Sequence, residues 1–181
     1  MQTAIFAGGC FWCTEAAFSR MPGVLTVEPG YTGGTLENPG YRAVCRGDSG
    51  HAEAVRVRYD ETLIDYPTLL SVFFASHDPT TLNRQGHDIG SQYRSAIFTL
   101  NDAQARAARE AIARLDKTGA FGAPIVTEVT AAGPFWPAEA EHSNYFERHG
   151  DAPYCQAVIA PKLAKFAHYF PDGRAGDRCQ K

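Results

Sequence analysis

Two cysteines three residues apart, Cys10 and Cys13, follow a paired glycine in the stretch AIFAGGCFWCTEAAF, residues 4–18. A CxxC serves dithiol exchange, a metal site or a single nucleophilic thiol. Phe11 and Trp12, bulky and apolar, are an odd choice of spacer for the first two. Residues 3–7 alternate weakly, as a short strand does, and the run from Cys10 to Met21 has helical apolar spacing that stops at Pro22-Gly23. Cys10 therefore falls in the first turn of a helix, where free backbone N–H groups and the positive end of the dipole favour a thiolate. A free cysteine titrates near ~8.5, and such sites lower that by about a unit or more. By position alone, a small buried residue after a turn accounts for Cys10 equally well.

Glu53 is the second candidate. It precedes the cleanest strand pattern in the chain, EAVRVRY, and alternation puts it on one face with Val55, Val57 and Tyr59. A carboxyl group on an apolar face is desolvated, which raises its pKa and keeps it a proton donor near neutrality. A glutamate at the strand start that stays in water, or pairs with an arginine, is the plainer alternative. The loops add Tyr31, Tyr41 and Tyr93, whose hydroxyls could hold a polar oxygen while their rings exclude water, and Asp88 in RQGHDIGSQYRS. Taken singly, each of these is more often a packing residue.

Two rival chemistries use the same residues. A thioredoxin-like oxidoreductase also places CxxC after a strand at a helix start, although no matching cis-proline context is recognisable downstream. A metal module would combine the CxxC with Cys155 and Cys179, or His77 and His87 with Asp88. No second CxxC and no HExxH supports it, so no metal is expected. His51, His142, His149 and His168 read as surface or packing residues.

These residues must be held by a framework, and the chain is long enough for one: 181 residues, 44% hydrophobic, read as one domain over 1–181 with a mobile tail from about 171. A second strand is expected at VLTVEPG, then a glycine-rich loop to Gly50 with little regular structure. Asp65 caps a helix with Pro67 in its first turn and an apolar stripe of Leu69, Leu70, Phe73 and Phe74. HDPTTLNRQGHDIGSQ reads as a long polar loop, YRSAIFTL as a strand, and Asn101 or Asp102 as the start of a helix ending near Gly119. PIVTEVT is a further strand and PAEAEHSNYFERH a short helix. The core order β-α-β-β-α-β predicts an α/β (α+β) two-layer plait, helices on one face of a mixed or antiparallel sheet, with a loop-rich C-terminal segment.

The net charge of −3 implies no basic footprint for nucleic acid. No apolar run spans a bilayer and MQTAIFAGG lacks the basic start of a secretory signal, so no membrane role is expected and the cytoplasm is the expected compartment. Five cysteines, an odd number without the spacing of a disulfide scaffold, fit a reducing environment.

The blocks GGCFWCTEAAF, GYTGG, YRAVCRGDSGHAEAVRVRYD and FFASHDPTTLNRQGHDIGSQYRSAIF closely resemble the A-type peptide-methionine (S)-S-oxide reductases, and YCQAVIAPKLAKF extends the match. The resemblance implies that Cys10 is the nucleophile, Phe11 and Trp12 the pocket for the methyl group on sulfur, and Glu53 the acid for the sulfoxide oxygen. It gives Tyr41 and Tyr93 hydrogen bonds to that oxygen, and Asp88 a part in ordering the pocket. The apolar spacer then has a reason, since aromatic faces suit a methyl thioether. Attack leaves Cys10 as a sulfenic acid, which a second thiol condenses with. The resemblance favours Cys155 as that resolving thiol, with Cys179 a possible carrier of the disulfide to the reductant. Cys13 lies one helical turn along and need not face the attack side, and Cys45 reads as structural. No cofactor is implied beyond an external dithiol, by family thioredoxin, acting on a monomer whose substrate is methionine sulfoxide, free or in proteins.

Overall fold

A computed structural model describes residues 1–170, so Cys179 and the tail expected from 171 lie outside the described residues. In chain order the regular elements are β1 (Gln2–Gly8), α1 (Phe11–Phe18), β2 (Val24–Thr32), α2 (Tyr41–Cys45), β3 (Ala52–Tyr59), α3 (Tyr66–Ser76), β4 (Arg84–Gln85), β5 (Asp88–Ile89), β6 (Ser95–Thr99), α4 (Asp102–Thr118), β7 (Glu128–Ala131), β8 (Trp136–Pro137), α5 (Tyr145–Arg148) and α6 (Ala160–Tyr169). One six-stranded mixed sheet runs β7-β6-β1-β3-β2-β8, and β4 with β5 makes a small separate ribbon. All pairs in the large sheet are antiparallel except β6 with β7. The expected plait is present, with β-α-β-β-α-β at its centre.

Alternation along the central strands decides which residues face the helices. Ala4 and Phe6 of β1, Val55, Val57 and Tyr59 of β3 and Ile97 of β6 join Phe18 of α1, Leu69, Leu70 and Phe73 of α3 and Ala108 of α4 in the main core. Phe6 stacks between Phe18 and Phe73, with centroids 5.0 and 5.1 Å away, and burying such a ring contributes roughly 2–3 kcal/mol. The opposite face holds a smaller cluster of Ile5, Ala7, Ala52, Ala54, Ala96 and Phe98, covered by Ala132 and Phe135. Asp65 caps α3 by accepting from Thr68 N (2.8 Å), and Asn101 caps α4 by accepting from Gln104 N (2.8 Å). Gly119 ends α4 in the left-handed region at φ 65°, where a residue without Cβ is unstrained.

Three expectations shift. The glycine-rich loop contains the five-residue helix α2, capped at Gly40. The strand expected at PIVTEVT begins only at Glu128, because Ile125 N and Val126 N are drawn off to Asp116 Oδ1 and the Pro79 carbonyl. The helix expected over residues 137–149 resolves into β8, a 3₁₀ turn at Ala140–His142 and α5. No helix among the described residues is long and apolar enough to cross a membrane.

Candidate active site

β1 ends at Gly8, and the chain turns through Gly9, whose φ of +91° and a prospective Cβ 2.6 Å from Gln85 Cγ admit only glycine. Cys10 is the N-cap of α1, with φ −56° and ψ 125°. Its carbonyl takes the N–H of Cys13 at 3.1 Å. Helix α1 is buried almost all round, including Phe11, Cys13 and Glu15, so Cys10 lies at the bottom of a packed site, only 7% exposed.

Glu53 is 1% exposed, on the helix-facing side of β3 as alternation requires. Its Oε2 accepts the Phe11 N–H at 3.1 Å, which ties the carboxyl group to the first turn of the helix that Cys10 caps. Burial pushes the Glu53 carboxyl up to about 8; the Phe11 N–H pulls the other way, and Asp88 and Cys13 add to the rise. The group is a neutral acid at pH 7, as its position in the strand predicts.

The thiols behave differently from the sequence expectation. Burial holds Cys10 well above the ordinary thiol range, and a hydrogen bond to Cys13 and the charge of Glu53 add to this, outweighing the Trp12 N–H that favours a thiolate. The helix terminus alone does not activate it. The neighbouring Cys10 thiol pulls Cys13 down against the effect of burial, and the Lys162 ammonium and the Tyr154 hydroxyl favour the Cys13 thiolate too.

Aromatic side chains surround this pair. Phe11 is fully buried and forms a floor against Tyr31 and His142, with centroids 5.7 and 5.3 Å away. Trp12 is partly exposed and stacks on Tyr145 at 3.7 Å, 7° from parallel. Its indole N–H donates to His142 Nδ1 at 3.3 Å. An indole N–H only donates, so Nδ1 carries the lone pair and the proton of a neutral His142 sits on Nε2. That nitrogen faces Glu139 and Glu141 at 3.6 and 3.9 Å. These three residues are the group of possible metal ligands with donor atoms within 4.8 Å of one another among the described residues, yet the Trp12 bond places a proton on the nitrogen a metal would need. Both His77 nitrogens are engaged: Nδ1 donates to the Phe73 carbonyl at 2.7 Å and Nε2 pairs with the Ser95 hydroxyl at 2.8 Å.

Tyr41 starts α2, and Tyr93 ends a 3₁₀ turn at Ser91–Tyr93. Burial raises both phenols; Glu53 raises both further. Tyr41 N donates to Glu139 Oε2 (3.1 Å), and its ring packs on His142 (4.6 Å). Glu139 Oε1 accepts from Tyr31 (3.2 Å), so one carboxylate braces two tyrosines. Asp88 in β5 accepts the Tyr154 hydroxyl at 2.8 Å. Cys155, in the C-terminal segment expected to be loop-rich, is fully buried in a π-type turn, Cys155–Ile159, continuous with α6. Pro161 explains the widened turn, since it lacks an N–H and its ring crowds the carbonyl four residues back. Cys10, Cys13, Ala16, Cys155 and Ile159 form one cluster, roofed by Tyr145, Phe146, Tyr154 and Leu163.

The family model "Peptide methionine sulfoxide reductase" matches residues 2–173. The chain belongs to that family. It is 58% identical to the peptide methionine sulfoxide reductase MsrA of Chromobacterium violaceum over 170 residues, 94% of this chain and 97% of the relative. Among solved structures it is similar to Mxr1 of Saccharomyces cerevisiae in reduced form, with TM-score 0.80 and 30% identity over 85% of this chain and 88% of the other. Methionine sulfoxide reductase A of Corynebacterium diphtheriae matches with TM-score 0.78 and 36% identity over 82% and 75% of the two chains. The protein is thus a peptide methionine sulfoxide reductase, an oxidoreductase.

Of the predicted site residues of this reductase, Cys10, Trp12 and Cys155 share the thiol cluster. Phe11 lies in the main core with Trp12 and Tyr41 packed against it. Glu53 is tied to Phe11 N, and Asp88 is bonded to Tyr154 of the cluster's roof. What sequence reasoning missed is the bracing set: Glu139, His142, Tyr145 and Tyr154. The sequence signal was present as four polar or aromatic residues in EAEHSNY and PYC, but their partners are Trp12, Tyr31, Tyr41 and Asp88, about 65 to 130 residues away along the chain.

Proposed function

We propose that this reductase acts on the S epimer of methionine sulfoxide, free and in proteins, and repairs oxidised methionine through Cys10. The observation that carries the reading is the Glu53 carboxyl group, buried, neutral at pH 7 and bonded to the first N–H of the helix that Cys10 caps. The substrate methyl group goes to Trp12 above the Phe11 floor. Its oxygen goes to Glu53, Tyr41 and Tyr93. With methyl and oxygen placed, only one configuration at sulfur leaves the third direction open to Cys10.

Cys10 gives up its proton along its hydrogen bond to Cys13 and attacks the substrate sulfur, while Glu53 protonates the departing oxygen. In net terms, the oxygen and the thiol hydrogen end on Cys10 as a sulfenic acid. The substrate sulfur gains two electrons and the Cys10 sulfur loses two. Cys155, in the same buried cluster as Cys10, then closes an intramolecular disulfide with loss of water, and an external dithiol reduces it by exchange. A complex of Mxr1 with Trx2 shares this fold at TM-score 0.56 and 23% identity, and a thioredoxin is the proposed reductant here.

The test is a thioredoxin-coupled assay on both epimers, with wild type and Cys10→Ser. Turnover of the S epimer alone, abolished in Cys10→Ser with the fold retained by circular dichroism, is expected. Equal rates on both epimers, or substantial activity in Cys10→Ser, would overturn the reading.

A further inference from the structure

Helix α1 buries a carboxyl group that the chemistry above does not use. Glu15 is 3% exposed, and it makes no ion pair among the described residues. Taking a carboxyl group out of water without a counter-charge is costly, so the partner it does have is informative. Glu15 Oε1 accepts the N–H of Asn144 at 2.9 Å, 129 residues along the chain. Asn144 has φ 53°, in the left-handed region, and stands directly before α5.

Trp12 and Glu15 are three residues apart on α1, so their side chains leave the helix as neighbours on one side. They take hold of two consecutive residues. Trp12 stacks on the Tyr145 ring at 3.7 Å, 7° from parallel, while Glu15 holds the N–H just before it. The bond restrains the backbone where the Tyr145 side chain departs, so the ring cannot lift from the indole without straining it. His142, from the same stretch, takes the indole N–H at 3.3 Å. Farther out, Arg20 pairs with Glu147 at 3.1 Å, with side chains 38% and 66% exposed, and such a pair contributes little. Glu15 is the buried member of this clasp.

We propose that Glu15 is a positioning residue that sets selectivity for a methyl group on the substrate sulfur, acting through Tyr145 on the plane of Trp12. The proposal rests on the reductase reading above, in which Trp12 receives that methyl group. A pocket rejects an extra methylene only as firmly as its wall is fixed, because a wall free to tilt makes room for it. Stacked on Tyr145 and bonded to His142, the indole is a fixed wall. Without the Glu15 bond, residues 143–146 loosen, the stack slips, and the pocket both binds methyl less well and tolerates a larger group.

The test is single-turnover release of product from the reduced full-length enzyme, as a function of the concentration of methionine S-sulfoxide or of its ethyl homologue with the same arrangement at sulfur. Glu15→Ala should raise the half-saturating concentration of the methyl substrate roughly tenfold while the maximal rate stays within about twofold. Its preference for methyl over ethyl should fall roughly tenfold. Glu15→Gln keeps an oxygen for the Asn144 N–H and should restore both. Glu15→Asp, one methylene short of that N–H, takes the place of Glu15→Ala should alanine impair folding. In a Tyr145→Ala background, Glu15→Ala should add little, since both cut the same chain of contacts. A general loss of folded protein would lower the rates on both substrates alike. An unchanged methyl preference in Glu15→Ala or Glu15→Asp, no restoration by Glu15→Gln, or effects of Glu15→Ala and Tyr145→Ala that multiply would overturn the proposal. Wild type that releases no methionine, or Trp12→Ala with unchanged half-saturation, would instead sink the reductase reading or its methyl pocket.

Discussion

Glu53→Gln separates the proton of the buried acid from its shape. Glutamine keeps the volume and an oxygen to accept the Phe11 N–H, a 3.1 Å bond in the wild type. It removes the titration. Burial raises the Glu53 carboxyl from an ordinary 4.5 to about 8. Between those values the folded state holds a proton that the unfolded state has lost. The contribution of Glu53 is therefore fully present below about 4.5 and is lost as pH rises through about 8, a loss of roughly 5 kcal/mol. Urea unfolding of both proteins under reducing conditions, from about pH 5 to pH 9, reads this directly. Any fixed cost of the new amide shifts the curve without tilting it, and other titrations cancel in the difference. The stability of the variant relative to wild type should climb by roughly 1.4 kcal/mol per pH unit and level off above about 8. Single-turnover reduction by the variant at neutral pH should be slower by roughly two to four orders of magnitude. A flat stability difference over this range, with a near-wild-type rate, would refute the assignment of a buried neutral acid.

Trp12→Ala removes the 3.7 Å stack on Tyr145 and the bond to His142, and should raise KM for methionine sulfoxide roughly 30-fold or more with a smaller effect on kcat. His77 has the opposite sign to Glu53: burial lowers it to about 4, so its contribution is present above the ordinary 6.5 and is lost as pH falls through about 4. His77→Gln should accordingly lose less of its stability than wild type between neutral pH and about pH 4.5, as read by urea midpoints. Asn101→Ala removes the cap on Gln104 N and should cost about 1 kcal/mol, or roughly 2–4 °C in Tm, with no change in activity.

The sequence alone was sufficient for the plait, the caps of α3 and α4, the placement of Cys10 at a helix start and the burial of Glu53. Each of these follows from local rules: apolar periodicity, cap chemistry, a turn forced by Gly9, and strand alternation that cannot put Val55 inside without Glu53. The helix α2 escaped because Gly-rich surroundings hid a run of only five residues. Tertiary structure decided the rest. The protonation of Cys10 depends on how deeply α1 is buried and on the orientation of Cys13, and these outweigh a helix terminus that local sequence makes visible. The braces from Glu139 and His142 to Tyr41 and Trp12 join segments about 100 residues or more apart. The position of Cys155 depends on α6 folding back over α1, which no period in residues 150–169 announces. Hydrophobic pattern is a property of neighbours along the chain, whereas desolvation and the gathering of thiols are properties of neighbours in space.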